Sequence, residues 1–264
     1  MDLGTVTGFR RATDRTDLAL GPGERVVAGG TWLYSEPQPG TTGLVDLTTL
    51  GWPDLEPLPD GGMRVAATCP IARVRALPGS LWPEATDGLL MSFKIQAVAT
   101  VGGNVCMALP AGAMIGLFTA LGATAVIWTP AGGERTCPVE DLVVGPVQTS
   151  LDDGEVLRAF DVPGSSLVGP VGPDGRRTPV AAVRHAALAA RGRSGVLVVG
   201  VRTETGTRVS VTGATARPVV LRDGDDPSAI DCWHDDAHGA PDWREAVATR
   251  FVGQVRDALT GGAA

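Results

Sequence analysis

Lysine is nearly missing from this chain: of its 22 basic residues only Lys94 is a lysine, and the arginines are scattered without a run. With 29 acidic residues the net charge is −7. No basic patch is available to neutralise phosphates, so a nucleic-acid partner is excluded. Cysteine is scarce as well. Cys69, Cys106, Cys137 and Cys232 lie far apart and form no CxxC pair, which argues against a metal knot, an iron–sulfur cluster or a disulfide-dense secreted scaffold, and favours a reduced, cytoplasmic protein. The opening MDLGTVTGFRRATDR has no apolar core of the signal-peptide kind, and no leader is expected. Charge itself is missing between Lys94 and Glu134. There, residues 111–128 would register in a hydropathy window, but Gly112, Gly116 and Gly122 interrupt them and no aromatic or basic anchor stands at each end. A glycine loop, a buried helix over 111–121 and a buried strand over 123–128 are expected in place of a membrane span.

What is present is ample for a core. The 264 residues are 44% hydrophobic and 19% charged, which suits one to two domains at about 150 residues each and excludes disordered, fibrous and solenoid classes. Short β-branched runs alternate with glycine breaks and short helical patterns, predicting α/β or α+β layering. Strands are expected at 25–28, 43–46, 63–66, 123–128, 156–162, 195–202 and 208–212. Helices are expected at 71–77, after Pro110, and at 241–259, where Trp243, Val247, Phe251, Val255 and Leu259 recur every four residues, with Asp242 as N-cap and Glu245 completing a capping box. The glycine- and proline-dense segment from Pro163 to Pro179 reads as a linker, splitting the chain near 170. Glu204, Thr205 and Gly206 read as a hairpin connection.

Two short motifs share a form. Arg25-Val26-Val27-Ala28-Gly29-Gly30-Thr31 runs a strand into a glycine pair and a hydroxyl residue, and Ala99-Thr100-Val101-Gly102-Gly103-Asn104 repeats the pattern some seventy residues later. Such bends present backbone N–H groups to a small anion, with Thr31 or Asn104 adding a side-chain donor; two facing each other would suit a pyrophosphate. Taken singly, each is also the sequence of an ordinary Gly-Gly turn.

The order of motifs resembles the FAD-binding medium subunit of the molybdenum hydroxylases, the group of xanthine dehydrogenase and aerobic carbon monoxide dehydrogenase, over nearly the whole chain. Ala28-Gly29-Gly30-Thr31 matches that family's AGGT-like turn and Thr100-Val101-Gly102-Gly103-Asn104 its [ST][IV]GGN motif. Arg135 to Leu142 resembles its R-x-x-P-[LV]-E-D-[FL] segment, Gly145-Pro146 follows, and Gly154-Glu155-Val156-Leu157 resembles its E-[IL]-L strand. Beyond the linker, Gly213-Ala214, Arg217-Pro218 and the helix around Trp243-Arg244 match its small last domain. The resemblance implies an α/β (α+β) chain: a two-subdomain FAD-binding PCMH-type fold over 1–170 (subdomains about 1–58 and 59–170), then a small α+β C-terminal domain over 171–264. It implies FAD held by Ala28, Gly29, Gly30, Thr31, Trp32 and Leu33, by Thr100, Val101, Gly102, Gly103 and Asn104, and at the flavin edge by Leu157. It further implies an FAD-dependent oxidoreductase subunit that takes electrons from a [2Fe–2S] small subunit, beside a molybdopterin large subunit that oxidises the substrate, and passes them to an outside acceptor.

The sequence departs from the family pattern at Trp32 and Ala113, where aspartate is frequent, at Gln96-Ala97, where Arg-Asn is frequent, and in lacking a lysine beyond the E-[IL]-L strand. These departures keep in view a degenerate homologue acting as a structural or interaction subunit; a standalone FAD-dependent oxidoreductase is the other alternative. Among other candidates, Cys232, His234 and His238 with Asp235 and Asp236 have zinc-ligand types, but a solvated acidic loop explains the same letters. His185 has no nearby carboxylate and reads as a partly buried structural histidine. No nucleophile elbow, metalloprotease helix or carboxylate dyad occurs. No residue is therefore assigned a catalytic role and no metal is expected; the reactive atom would belong to the flavin. Trp32 and Tyr34, the aromatics nearest the first glycine pair, read either as cofactor contacts or as packing residues, with packing the default.

Overall fold

A computed structural model describes residues 3–168, 180–190, 192–203 and 206–261. It opens with three short strands, β1 (Gly8–Arg11), β2 (Glu24–Val27) and β3 (Gly43–Asp46), forming an all-parallel sheet in the order β1-β3-β2. A 3-10 turn, Arg15–Leu18, follows β1 because Asp14 accepts from Thr16 N at 2.8 Å while Asp17 reaches back to Asp14 N, a reciprocal cap. Across the sheet, Arg10 on β1 forks onto Glu24 on β2, at 3.0 and 2.8 Å. The inner residues Leu18, Val45 and Leu47 pack on Val156 and Trp128 of the next sheet.

That sheet is antiparallel and five-stranded. β4 (Leu55–Pro57) and β5 (Met63–Ala66) lead into helices α1 (Ile71–Arg75), α2 (Leu81–Asp87), α3 (Phe93–Gln96), α4 (Val101–Cys106) and α5 (Ala113–Ala120). The chain returns as β6 (Thr124–Trp128), β7 (Glu134–Pro138), α6 (Val139–Leu142), a small hairpin of β8 (Val143–Gly145) and β9 (Gln148–Thr149), and β10 (Val156–Val162), giving the order β4-β5-β10-β6-β7. One turn of helix, α7 (Gly164–Leu167), follows. The last part is an antiparallel meander, β11 (Val180–Ala186), β12 (Val196–Thr203), β13 (Gly206–Thr212) and β14 (Val219–Leu221), closed by α8 (Pro241–Thr260).

The uncharged stretch of the sequence has its reason here. All eight residues of α5 are buried, because one side packs on the five-stranded sheet, with Phe118 stacked on Phe160 at 4.4 Å, and the other on the meander, where Ser210 Oγ donates to Gly116 O at 2.7 Å. A helix covered on both sides carries no polar stripe. The meander is likewise two-faced: Leu197, Val199 and Val201 join the core around α5, while Val196, Val198, Val209 and Val211 pack under α8. No helix among the described residues is long and apolar enough to cross a membrane.

The strands at 43–46, 63–66 and 156–162 stand where the sequence pattern puts them, and the rest of the expected strands shift by a residue or two. β1, β4, β7, β11 and β14, and the small β8–β9 hairpin, are not among the expected strands; the first five lie at sheet edges, where charged and half-exposed residues dilute the β pattern. Three further expectations are corrected. Asp242 is not the N-cap of α8: Pro241 occupies its first turn after Ala240, and Asp242 accepts from Trp243 N instead. The i+4 stripe is also displaced, since each step of four turns about 40° around the axis; the buried line is Arg244, Ala248, Val252, Val255 and Leu259, with Trp243, Val247 and Phe251 on its flank. His185 is exposed on β11, opposite Leu197, and not partly buried. Most of the linker segment, from residue 169 to 179, and hairpin residues Glu204 and Thr205 lie outside the described residues; Thr203 pairs with Gly206 across that hairpin.

Candidate cofactor-binding site

The first bend begins where β2 ends. Val27 O still accepts from Leu47 N at 2.8 Å, and from Ala28 the chain leaves the sheet. Gly30 has φ +65°, a left-handed conformation that suits glycine, and Tyr34 packs its ring over it: a Cβ there would stand 2.3 Å from Tyr34 Cε2. Tyr34 N donates to Gly30 O and Ser35 N to Trp32 O, both at 2.8 Å, closing a tight turn. Within that turn the N–H groups of Gly29, Gly30, Thr31 and Trp32, and the Thr31 hydroxyl, have no acceptor among the described residues. Backbone donors left unpaired in a concave site are the mark of a ligand cradle.

The second motif is built differently from the expected strand-turn. Gly102, Gly103 and Asn104 lie in the first turns of α4, with Thr100 as N-cap accepting from Gly103 N at 3.1 Å. Val101 N donates to Cys69 O, Gly102 N to Ala67 O and Asn104 N to Thr100 O, at 3.0, 2.9 and 3.0 Å. The amides of Val101, Gly102, Gly103 and Asn104 are thus used inside the protein, against the expectation of a second amide cradle facing the first. The second motif contributes surface in its place. Gly103 is exposed, and the lone atom near a Cβ placed there is Thr100 Oγ1 at 3.0 Å. Asn104 fixes its Oδ1 on Met114 N at 3.1 Å, leaving Nδ2 as an unclaimed donor.

The two motifs meet. A Cβ on Gly29 would stand 2.1 Å from Val98 O and 3.0 Å from Ala99 Cα, so the first bend lies directly on the backbone entering the second. Around this junction opens a cavity of about 470 Å³, lined by Ala28, Gly29, Gly30, Thr31, Trp32 and Leu33, by Thr100, Gly102, Gly103 and Asn104, and by Leu157. That volume is in the range of cofactor pockets. Val101 is the exception among the expected residues: fully buried, it faces the core. The sequence reading missed Leu90, Met91 and Ile95, from the α2–α3 segment, and Cys106 and Glu155. Apolar residues in short helices carry no motif, although Glu155 stood next to Leu157 in the E-[IL]-L match.

No lysine or arginine among the described residues lines the cavity. Its carboxylate, Glu155, is gripped by Arg135 at 2.7 and 2.5 Å and by Asp152 N at 2.9 Å; the guanidinium above all holds that carboxyl below its usual range. Cys106, an exposed residue of α4, also lines the cavity. Ala113, buried at the start of α5, offers no polar group, and Gln96 and Ala97 end α3. Away from the cavity, Asp236 pairs with Arg244 and lies 3.3 Å from His234 Nε2; no metal-ligating cluster occurs among the described residues.

Residues 12–165 match the family model described as the FAD binding domain in molybdopterin dehydrogenase. The chain belongs to this family. FAD is its cofactor and oxidoreduction its class of chemistry. A stretch of 70 residues is 37% identical to caffeine dehydrogenase subunit beta of Pseudomonas sp. (strain CBB1), covering 26% of this chain and 24% of that subunit. The fold is shared more widely. Carbon monoxide dehydrogenase of Oligotropha carboxidovorans contains a chain that superposes over 100% of both chains with TM-score 0.80 and 20% identity. Quinoline 2-oxidoreductase of Pseudomonas putida 86 gives 97% of both chains, 0.76 and 20%. Carbon monoxide dehydrogenase of Hydrogenophaga pseudoflava gives 98% and 99%, 0.78 and 18%. The residues of this chain fit a dinucleotide: four unclaimed amides in one turn, a free amide nitrogen on Asn104, and a bare helix surface at Gly103.

Proposed function

We propose that the chain is the FAD-carrying electron-transfer subunit of a molybdenum hydroxylase-type dehydrogenase. In this reading residues 1–170 form the cofactor domain, with subdomains of about 1–58 and 59–170, and residues 171–264 form a C-terminal domain. The turn Ala28 to Thr31 grips the diphosphate through its backbone N–H groups, while Trp32 and Leu33 wall the site beside it. Thr100, Gly102, Gly103 and Asn104 supply the opposite wall; Val101 serves from the core, holding α4 in place. Asn104 Nδ2 donates to the ligand and Leu157 covers the flavin edge. Glu155, fixed by Arg135, keeps its carboxylate from competing for the same donors. When bound, FAD supplies a redox centre able to exchange electrons singly or in pairs.

The partners in this reading are a [2Fe–2S] small subunit that delivers electrons and a molybdopterin large subunit that oxidises the substrate, in the cytoplasm. The observation that carries the proposal is the contact of Gly29 with Val98 and Ala99, which sets an arc of unclaimed amides against a helix surface with room beside it. An open cavity of this size also favours a cofactor carrier over a degenerate homologue.

The test is FAD titration of the purified chain by flavin fluorescence, with Gly103→Leu beside the parent. A leucine there enters the cavity but not the protein interior, and it improves helix propensity by about 0.8 kcal/mol. The expected result is a folded variant that has lost FAD; unchanged flavin affinity would refute the site.

A further inference from the structure

A dinucleotide diphosphate brings negative charge into a cavity with no lysine or arginine in its lining among the described residues. Among the described residues, a cation does stand over one residue of that lining. Arg193, on the β11–β12 connection, holds its guanidinium over the ring of Trp32, with Cζ 5.7 Å from the centroid. Trp32 both lines the cavity and carries one of the unclaimed N–H groups. Arg10, Arg64, Arg135 and Arg244 are paired with carboxylates, whereas Arg193 is exposed and has no carboxylate or carbonyl partner among the described residues. Its neighbours are anchored. Buried Ser194 donates its hydroxyl to Gly88 O at 2.7 Å, at the end of α2 and just before the cavity-lining Leu90 and Met91, and Gly195 N donates to Ala186 O at 2.9 Å.

We propose that Arg193, carried by the C-terminal part of the chain, is the cationic binding residue for the cofactor's phosphates, held ready on the face of Trp32. The inference rests on the FAD reading above. A backbone tethered just after it limits where the side chain can go, and an aromatic face holds a guanidinium without neutralising it, so the charge stays available to an anion. The arginine is supplied by the meander and the amide cradle by β2, which makes the site complete only when the two parts are docked.

The experiment compares binding of riboflavin, FMN and FAD to the parent chain, Arg193→Ala and Arg193→Lys, by fluorescence at low and high salt. The expected result is a dissociation constant for FAD raised about tenfold in Arg193→Ala, the size of one charge-assisted hydrogen bond. That loss should shrink at high salt, be partly rescued by lysine, and be absent for riboflavin, which carries no phosphate. An equal loss for all three ligands would mean that Arg193 only braces Trp32, and no loss for any would mean that it is uninvolved; either overturns the inference. If the parent itself binds no FAD, the underlying reading falls first, which separates the two failures.

Discussion

Gly29 and Gly103 stand in matching motifs yet do opposite things. Gly29 is small because protein backbone fills the space: any Cβ would press on Val98 O at 2.1 Å. Gly29→Ala should therefore cost about 3 kcal/mol, an overpacking penalty against backbone that cannot rotate away. Thermal melting should show it as a fall of about 10 °C, in contrast to Gly103→Leu, which should leave melting nearly unchanged while removing FAD. The sequence shows both glycine pairs and their order, and so eleven of the cavity's lining residues were legible. It does not show which N–H groups are already taken. Val101 and Gly102 lose theirs to Cys69 and Ala67, partners that only the folded chain brings near. Arg193 was illegible for the same reason, lying about 160 residues from the ring it covers.

Between elements, the ion pair that ties β1 to β2 gives a pH test. Hydrogen bonds from Arg10, and then from Gly21 N, lower the Glu24 carboxyl from 4.5 to about 2. A carboxylate depressed in the folded state stabilises above its unfolded pKa and stops doing so as pH falls through the folded one. The contribution of Glu24 is therefore complete above about pH 4.5 and disappears toward pH 2. Acid titration of the parent and Glu24→Gln should give melting curves that differ at neutral pH and converge in that window; added salt should narrow the neutral-pH gap, since both side chains are partly exposed. Elements also set the limits of the sequence reading. Two-sided burial made β12 plain as an apolar run over 196–201, whereas β10 keeps Arg158 and Asp161 within its apolar residues. α2 was hidden by Pro83, which a helix accepts in its first turn, and α4 by its two glycines, which only the Thr100 cap and the contact with Ala67 reconcile with a helix.

For the whole molecule, the glycine- and proline-rich segment near residue 170 suggests a seam, yet the apolar core runs across it. Val183, Leu197, Val199 and Val201 share one cluster with α5, and Arg208 reaches Thr119 O and Glu140 from the far side. A chain cut after residue 168 would expose that helix face, so it should self-associate, as light scattering after size exclusion would reveal.

α5 touches the meander through Gly116, and its opening amide at Met114 is the one Asn104 holds. A single buried rod thus joins the outermost sheet to the floor on which the cofactor would rest. Occupancy and global cohesion are for that reason thermodynamically linked: calorimetry should record one endotherm for the entire polypeptide, displaced upward as free FAD is raised, and two separable endotherms would disprove the coupling.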